Sequence, residues 1–302
     1  MPDRAPDSNP FAVPGAGRPR TGWYDVNDCR LYVEIRGEGP ALLISGAASD
    51  DAEMFRPIAE RLVGFTVVTF DPRGTRRSSR SGWPCDSAQH ADDAGDLLRA
   101  LHLVPAHVFG ASAGGIVAVQ LALRHPDLVG RVLVCEPGYF RCTPAGAELY
   151  SRARASVDEH LIAHPEDWAG ALAAGLLAAQ ATPPRHDSLR ELLEPPAGLD
   201  WYAARAHELA ENFIRDDVPL TGEVVDRAGL ARSAVDFQFV SGSESNPVFR
   251  EIVEELSRIR PPIGRSGPVS ADVITGAGHV AYFTPELIAD YIRGQCPEPA
   301  VP

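Results

Sequence analysis

The chain of 302 residues contains no lysine. All 28 of its fixed positive side chains are arginines, set against 41 aspartates and glutamates for a formal net charge of −13. An excess of that sign repels nucleic acid and anionic membrane, so neither is expected as a partner. Cysteine is also sparse. Cys29, Cys85, Cys135, Cys142 and Cys296 form no CxxC pair, and any pairing leaves one over. That excludes a disulfide framework and points to a reducing, cytoplasmic compartment. No long apolar run is present: the longest, AGALAAGLLAA at 169–179, falls well short of the ~20 residues of a membrane span. The first 20 residues hold five prolines and no apolar stretch of secretory type, so 1–22 is expected to be a flexible arm. No internal repeat is found.

What the chain does have is enough apolar material, 44%, for a full core, and a length that fits one large α/β domain with an insertion or two ordinary domains. From about Trp23, short apolar runs alternate with helical patterns, the signature of βα units around a mostly parallel sheet. RLYVEIRGEGP, ALLISG, FTVVTFD, AHVFGAS and VGRVLVCEP read as strands. DDAEMFRPIAERLV (50–63), HADDAGDLLRALHL and GGIVAVQLALRHP read as helices. From about Thr143 to Ala234 the alternation stops. ELYSRARASVDEHLIAH, EDWAGALAAGLLAAQ and WYAARAHELAENFIRDD are helical, with TPP and EPPAG as breakers. The series then resumes with DFQFVSG, PVFREIVEELSRI, SADVITG and TPELIADYIRG. The expected organisation is a core of 23–142 and 235–302 interrupted by a helical cap of 143–234 over the sheet's carboxyl edge.

The stretch VFGASAGG surrounds one serine with residues lacking side-chain bulk. Gly110, Ala111, Ser112, Ala113 and Gly114 form G-x-S-x-G at a strand-to-helix junction, where a tight turn pushes the hydroxyl out above the sheet. The small neighbours let strand and helix pass closely. A serine is a poor nucleophile without a base, and histidine has the pKa for that task near neutrality. Of nine histidines, eight lie within or beside helices or at strand starts. His279 instead follows the strand ADVITGAG in a glycine-flanked loop, on the same sheet edge as Ser112.

With GASAGG, DPRGTRRSS after the fourth strand and GAGHVAYFTPE around the histidine, the chain resembles the α/β-hydrolase superfamily over roughly 23–294. The resemblance implies the α/β-hydrolase fold, a mostly parallel eight-stranded sheet flanked by helices with an inserted helical cap. It also implies Ser112 as nucleophile and His279 as base. The oxyanion hole would be the backbone N–H of Ala113 and a second donor after the third strand, in SGAASD. Ala47 is the choice there, with Ala48 close behind and at hand for substrate. Ser45 stands where a histidine is common in the family, which leaves a main-chain donor untouched.

The acid departs from the usual pattern. After DFQFVSG, where most relatives place an aspartate, the loop reads SGSESNPVF and offers only Glu244. Glu136, ending the strand VLVCE before Pro137, emerges at the same edge one strand from Ser112 and is the other candidate. Either would fix the imidazole's tautomer and stabilise the imidazolium. The chain is similar in this element, in GFTVVTFDPRGTRRSS and in the missing aspartate to hydrolases that open the resorcylic macrolactone zearalenone, which favours Glu136. The expected reaction is cleavage of a small-molecule lactone or carboxylic ester through an acyl-enzyme. The same triad serves carboxylesterases of other small esters, cofactor-free haloperoxidases and carbon–carbon hydrolases. The same fold serves non-catalytic ligand-binding receptors.

Within the cap, Trp201 is favoured as a pocket wall, with Tyr139 and Phe140 as alternatives at the sheet edge. No spacing such as HExxH suggests a metal, and no glycine-rich fingerprint with a downstream acid suggests a dinucleotide, so no cofactor is expected. A homodimer is an expectation of the family resemblance alone. The arginines of DPRGTRRSSR read as a solvated loop balancing nearby acids, with a phosphate site as the other reading.

Overall fold

The structure is a computed structural model describing residues 17–180, 200–263 and 271–296. Most of the expected arm, the TPP and EPPAG breakers and His186 lie outside the described residues. Eight strands form one sheet: β1 (Arg20–Val26), β2 (Cys29–Arg36), β3 (Ala41–Ser45), β4 (Thr66–Phe70), β5 (Ala106–Ala111), β6 (Val129–Cys135), β7 (Asp236–Gly242) and β8 (Asp272–Ile274). Their spatial order is β1-β2-β4-β3-β5-β6-β7-β8. β2 runs antiparallel to both neighbours, and every pairing from β4 to β8 is parallel. β1 begins at Arg20, inside the segment expected to be a loose arm, because its backbone pairs with β2 from Arg20 onward.

The central strands are continuous apolar runs because both their faces are covered. α2 (Ser87–Ala100), α3 (Ser112–Arg124) and α8 (Pro247–Ile259) bury Leu97, Ile116 and Val253 against Val108, Val132 and Phe237 on one face. On the other, the short α1 (Arg56–Ala59) and α9 (Pro285–Gln295) bury Ile58 and Ile288 with Ile44, Phe109 and Leu133. α1 is much shorter than the helix expected over 50–63. Asp51 Oδ1 accepts the Met54 N–H at 3.0 Å, holding the preceding residues in turns, and Pro57 supplies no N–H.

Between β6 and β7 lies the helical block: α4 (Pro144–Ala163), α5 (Trp168–Ala178), α6 (Asp200–Glu208), an irregular run from Ala210 to Thr221 that includes a π turn at Phe213–Asp217, and α7 (Arg227–Arg232). Val157, Ala171, Leu172, Ala210 and Ile214 form its own small core. α4 starts at Thr143, whose hydroxyl accepts the Gly146 N–H at 3.1 Å, with Pro144 preset for the first turn.

None of the arginines in the β4–α2 loop is a bare solvated charge. Arg73, 1% exposed, grips both Asp93 carboxylate oxygens at 2.8 Å and Asp28 at 2.6 Å. Arg77 pairs with Asp71, Arg76 with Asp51 and Glu53, and Arg80 with Glu211. The arginines balance nearby acids as expected, Arg80 remaining half-exposed, and the departure from a solvated loop is Arg73, which is folded inside.

Candidate active site

β3 lies between β4 and β5, so the chain leaves β3 to one side and returns on the other. That reversal opens a crevice at the carboxyl ends of β3 and β5, the usual place for a ligand in open α/β sheets. Both the SGAASD loop and Ser112 emerge there. Ser112, first residue of α3, has φ +51°, the left-handed region that non-glycine residues seldom occupy. The turn is that tight because strand and helix nearly touch. A Cβ on Gly110 would lie 2.4 Å from the Gly114 carbonyl, and one on Gly114 would lie 2.3 Å from the Ser45 carbonyl. Only glycine fits at either position.

Three distant segments meet at the hydroxyl. His279 Nε2 lies 3.1 Å from Ser112 Oγ, and His279 Nδ1 lies 2.7 Å from Glu136 Oε2. A carboxylate can only accept, so the proton sits on Nδ1 and Nε2 turns its lone pair to the serine. Glu136 is 1% exposed, and its other oxygen accepts the Gly242 N–H at 2.6 Å. Its backbone is also left-handed, φ +46°, with its N–H donated to the Val240 carbonyl at 2.9 Å. The β6–β7 ladder thus carries the chain to a point where the carboxylate turns back over the sheet edge. Glu244, the competing candidate, is exposed and accepts from the Ser243 hydroxyl at 3.0 Å.

A further contact was not readable from the sequence. The Phe249 ring, on α8, stacks on the His279 imidazole with centroids 3.9 Å apart and planes 12° from parallel. In the sequence Phe249 is one apolar residue of an amphipathic helix, and nothing distinguishes it from core.

Ala113 lies at the N-terminus of α3, where the helix dipole favours negative charge, and Ala47 is fully buried across the crevice. The Ala47 N–H points to Asp50 Oδ2 at 3.4 Å. A cavity of about 610 Å³ opens from Ser112, Ala113 and His279 up to the helical block, within the size range of small-molecule sites. Its apolar walls include Phe140, Leu149, Leu172, Tyr202 and Phe213. Trp201, Tyr139 and Ala48 do not line it. Trp201 packs beside Met54 and Leu209, Tyr139 is buried in the main core, and Ala48 is buried behind its loop, so the neighbours Tyr202, Phe140 and Ser49 face the cavity instead.

Two carboxyl groups share this wall. Burial pushes the Asp50 carboxyl up to about 6 against hydrogen bonds from Ala47 and Tyr282. Burial, with the nearby charges of Asp216 and Asp50, holds Asp217 well above the usual carboxylate range. Outside the cavity, Cys85, His90 and Asp216 bring ligand-type atoms within 4.8 Å of one another, a group that chain spacing did not reveal. It is knit internally, with His90 Nε2 at 2.9 Å from Asp216 Oδ1. Among the described residues no helix is long and apolar enough to cross a membrane.

The strand order, the elbow at Ser112 and the crevice it faces define a class, and comparison with known proteins agrees with it. The model of the alpha/beta hydrolase fold family matches residues 40–196, just over half of the chain, and the chain belongs to that family. Among curated relatives, the uncharacterized hydrolase YraK of Bacillus subtilis (strain 168) is 35% identical over 121 residues, 38% of this chain. The match spans only 44% of that relative's length. The enol-lactonase of Burkholderia xenovorans LB400 shares the fold with a TM-score of 0.68 at 19% identity, covering 90% of this chain and 98% of its own. Est816, described as an N-acyl homoserine lactone degrading enzyme, shares it with a TM-score of 0.67 at 20% identity over 91% of this chain and 100% of its own.

Proposed function

We propose that the chain is a serine hydrolase that cleaves a lactone or carboxylic ester through an acyl-enzyme. The observation that carries this reading is the hydrogen-bonded line from Ser112 Oγ through both nitrogens of His279 to the buried Glu136 carboxylate. His279 Nε2 takes the hydroxyl proton as Oγ attacks the substrate carbonyl carbon, and Glu136 steadies the imidazolium. The N–H groups of Ala113 and Ala47 receive the oxyanion. Collapse of the intermediate breaks the bond to the leaving alcohol, which takes the proton from Nε2. Water, deprotonated by the same nitrogen, then attacks the acyl carbon and frees the acid. In a lactone the leaving alcohol stays attached, so the product is a single hydroxy acid.

A lactone is favoured within that class because solved proteins of like fold are named for lactone chemistry. The mainly apolar cavity suits a ring system of roughly ten to twenty heavy atoms. A zearalenone-type macrolactone is the particular substrate that the Glu136 element and the DPRGTRRSS loop suggest, with the helical block of 143–234 serving as a cap over the site. The test is turnover of p-nitrophenyl esters and a panel of macrolactones followed by mass, with fluorophosphonate labelling alongside. Turnover and labelling at Ser112, both lost in Ser112→Ala, are expected. A wild-type protein that neither labels nor turns over any of them would be the binding protein instead.

A further inference from the structure

Beside the oxyanion loop the cavity wall carries two acids, Asp50 and Asp217, with His279 as the cationic group near enough to act on Asp50. Asp50 accepts the Ala47 N–H at 3.4 Å on one oxygen and the Tyr282 hydroxyl at 3.2 Å on the other. Asp217, 2% exposed, lines the same cavity from the π turn of the helical block, near enough for the Asp50 charge to act on it. The Ser49 hydroxyl donates to its Oδ2, while its Oδ1 is buried and has no hydrogen-bond partner. Among the described residues no arginine pairs with either carboxyl. Arg154, the arginine of the cavity wall, is held by Asp158 at 2.9 Å.

The same wall is aromatic. The rings of Tyr202 and Tyr282 lie 5.3 Å apart, that of Phe283 lies 4.8 Å from Tyr202, and all three line the cavity. Carboxyl groups in apolar surroundings without a counterion take up protons, which is the direction in which Asp50 and Asp217 are displaced. A cation seated between them replaces those protons, and the faces of neighbouring aromatic rings attract the same charge. A neutral donor can also reach the bare Asp217 oxygen, but it brings no charge to take the place of the proton.

We propose that Asp50 and Asp217, backed by Tyr202, Tyr282 and Phe283, form a subsite for a protonated amine, so that the preferred substrates are esters or lactones carrying a cationic nitrogen. This rests on the hydrolase reading above and replaces its zearalenone-type substrate, a neutral lactone that such a subsite would not prefer. The placement ties recognition to chemistry. The contact from Ala47 N–H to Asp50 is long for a hydrogen bond. An ammonium that draws the carboxylate toward itself leaves that N–H to the oxyanion and cancels the negative charge beside it. Preference for the amine then enters kcat as well as KM.

The test compares p-nitrophenyl 6-aminohexanoate with p-nitrophenyl heptanoate, which differ by an ammonium in place of a methyl. The wild type is expected to favour the amino ester at least tenfold in kcat/KM, and Asp217→Asn to bring that ratio near one. Asp50→Asn is the second variant should the first fold poorly. Parity of the two esters in the wild type, or an amine preference that survives both substitutions, overturns the proposal. Failure to turn over either ester would count against the hydrolase reading alone. The subsite is then judged by calorimetry: benzylamine is expected to bind at least tenfold more tightly than benzyl alcohol, with the difference lost in Asp217→Asn. Equal affinities overturn it.

Discussion

Ser112 and Glu136 both occupy left-handed backbone, a conformation that costs of order 1–3 kcal/mol per non-glycine residue and persists only where the surroundings impose it. At each, the strain aims one side chain at His279. With the geometry kept but the carboxylate neutralised, Glu136→Gln is expected to lower kcat by about 10³- to 10⁴-fold with little change in KM, as loss of the triad acid does elsewhere. Glu244→Gln is expected to stay within about twofold of wild type, and steady-state kinetics on one ester decides between them. A Phe249→Ala variant should lose roughly tenfold in kcat by freeing the imidazole ring, with Phe249→Tyr restoring most of it. Ser112 and His279 were legible because their flanking glycines sit at strand ends, which a sequence pattern records. Glu136 was favoured over Glu244 in the sequence, as a strand-terminal acid before a proline and by resemblance, and the structure sets its carboxylate 2.7 Å from His279 Nδ1. The placement of Phe249, Asp50 and Asp217 on the cavity wall was not legible, because it depends on which face of a helix or turn reaches the cavity.

At the scale of elements, the helical block joins the sheet layer through the apolar cluster of Met54, Tyr202 and Leu209 and, beside it, through buried polar pairs. His90, on α2, is buried against Asp216 in the π turn, and Asn212 donates to the Gly74 carbonyl at 3.0 Å. Burial alone would lower the His90 pKa, but hydrogen bonds to Asp216 and Cys85 outweigh it and raise the pKa well above its ordinary value. A raised histidine pKa means that the stabilisation is fully present below the unfolded value of about 6.5 and is lost as pH rises through the folded value. The melting temperature is therefore expected to fall more steeply above pH 6.5 in wild type than in His90→Gln, read by calorimetry across pH 6 to 10. Identical slopes would show that the pair does not titrate as a unit. Arg73 supplies the matching prediction within the core layer: Arg73→Ala strands the buried Asp93 carboxylate and should cost about 3–5 kcal/mol by urea unfolding. The sequence suggested a solvated loop balancing nearby acids there, since pattern alone cannot tell a solvated arginine from one folded over its partner. The same limit explains α1, where Asp51 and Pro57 cut short an apolar periodicity that runs on regardless.

For the molecule as a whole, the βα alternation and its interruption at about residue 143 could be read directly, because buried parallel strands are short apolar runs bounded by turns and, among the described residues, no strand falls between β6 and β7. Strand order and the position of β1 at the far edge could not, since pairing partners leave no mark in a single sequence. The sheet reversal between β3 and β5 is also what makes Gly114 irreplaceable. Gly114→Ala should destabilise the fold by about 2 kcal/mol, with a parallel loss of labelling at Ser112, because the added methyl must push α3 away from the β3 loop. Ser112, Glu136 and His279 follow β5, β6 and β8, and none of the three lies on the helical block between 144 and 232. Under the proposed function the roof and the hearth are separate pieces of one chain: variation confined to the former is expected to retune what is admitted without disturbing what reacts, so swapping that segment between relatives is the natural route to new selectivity on an unchanged engine.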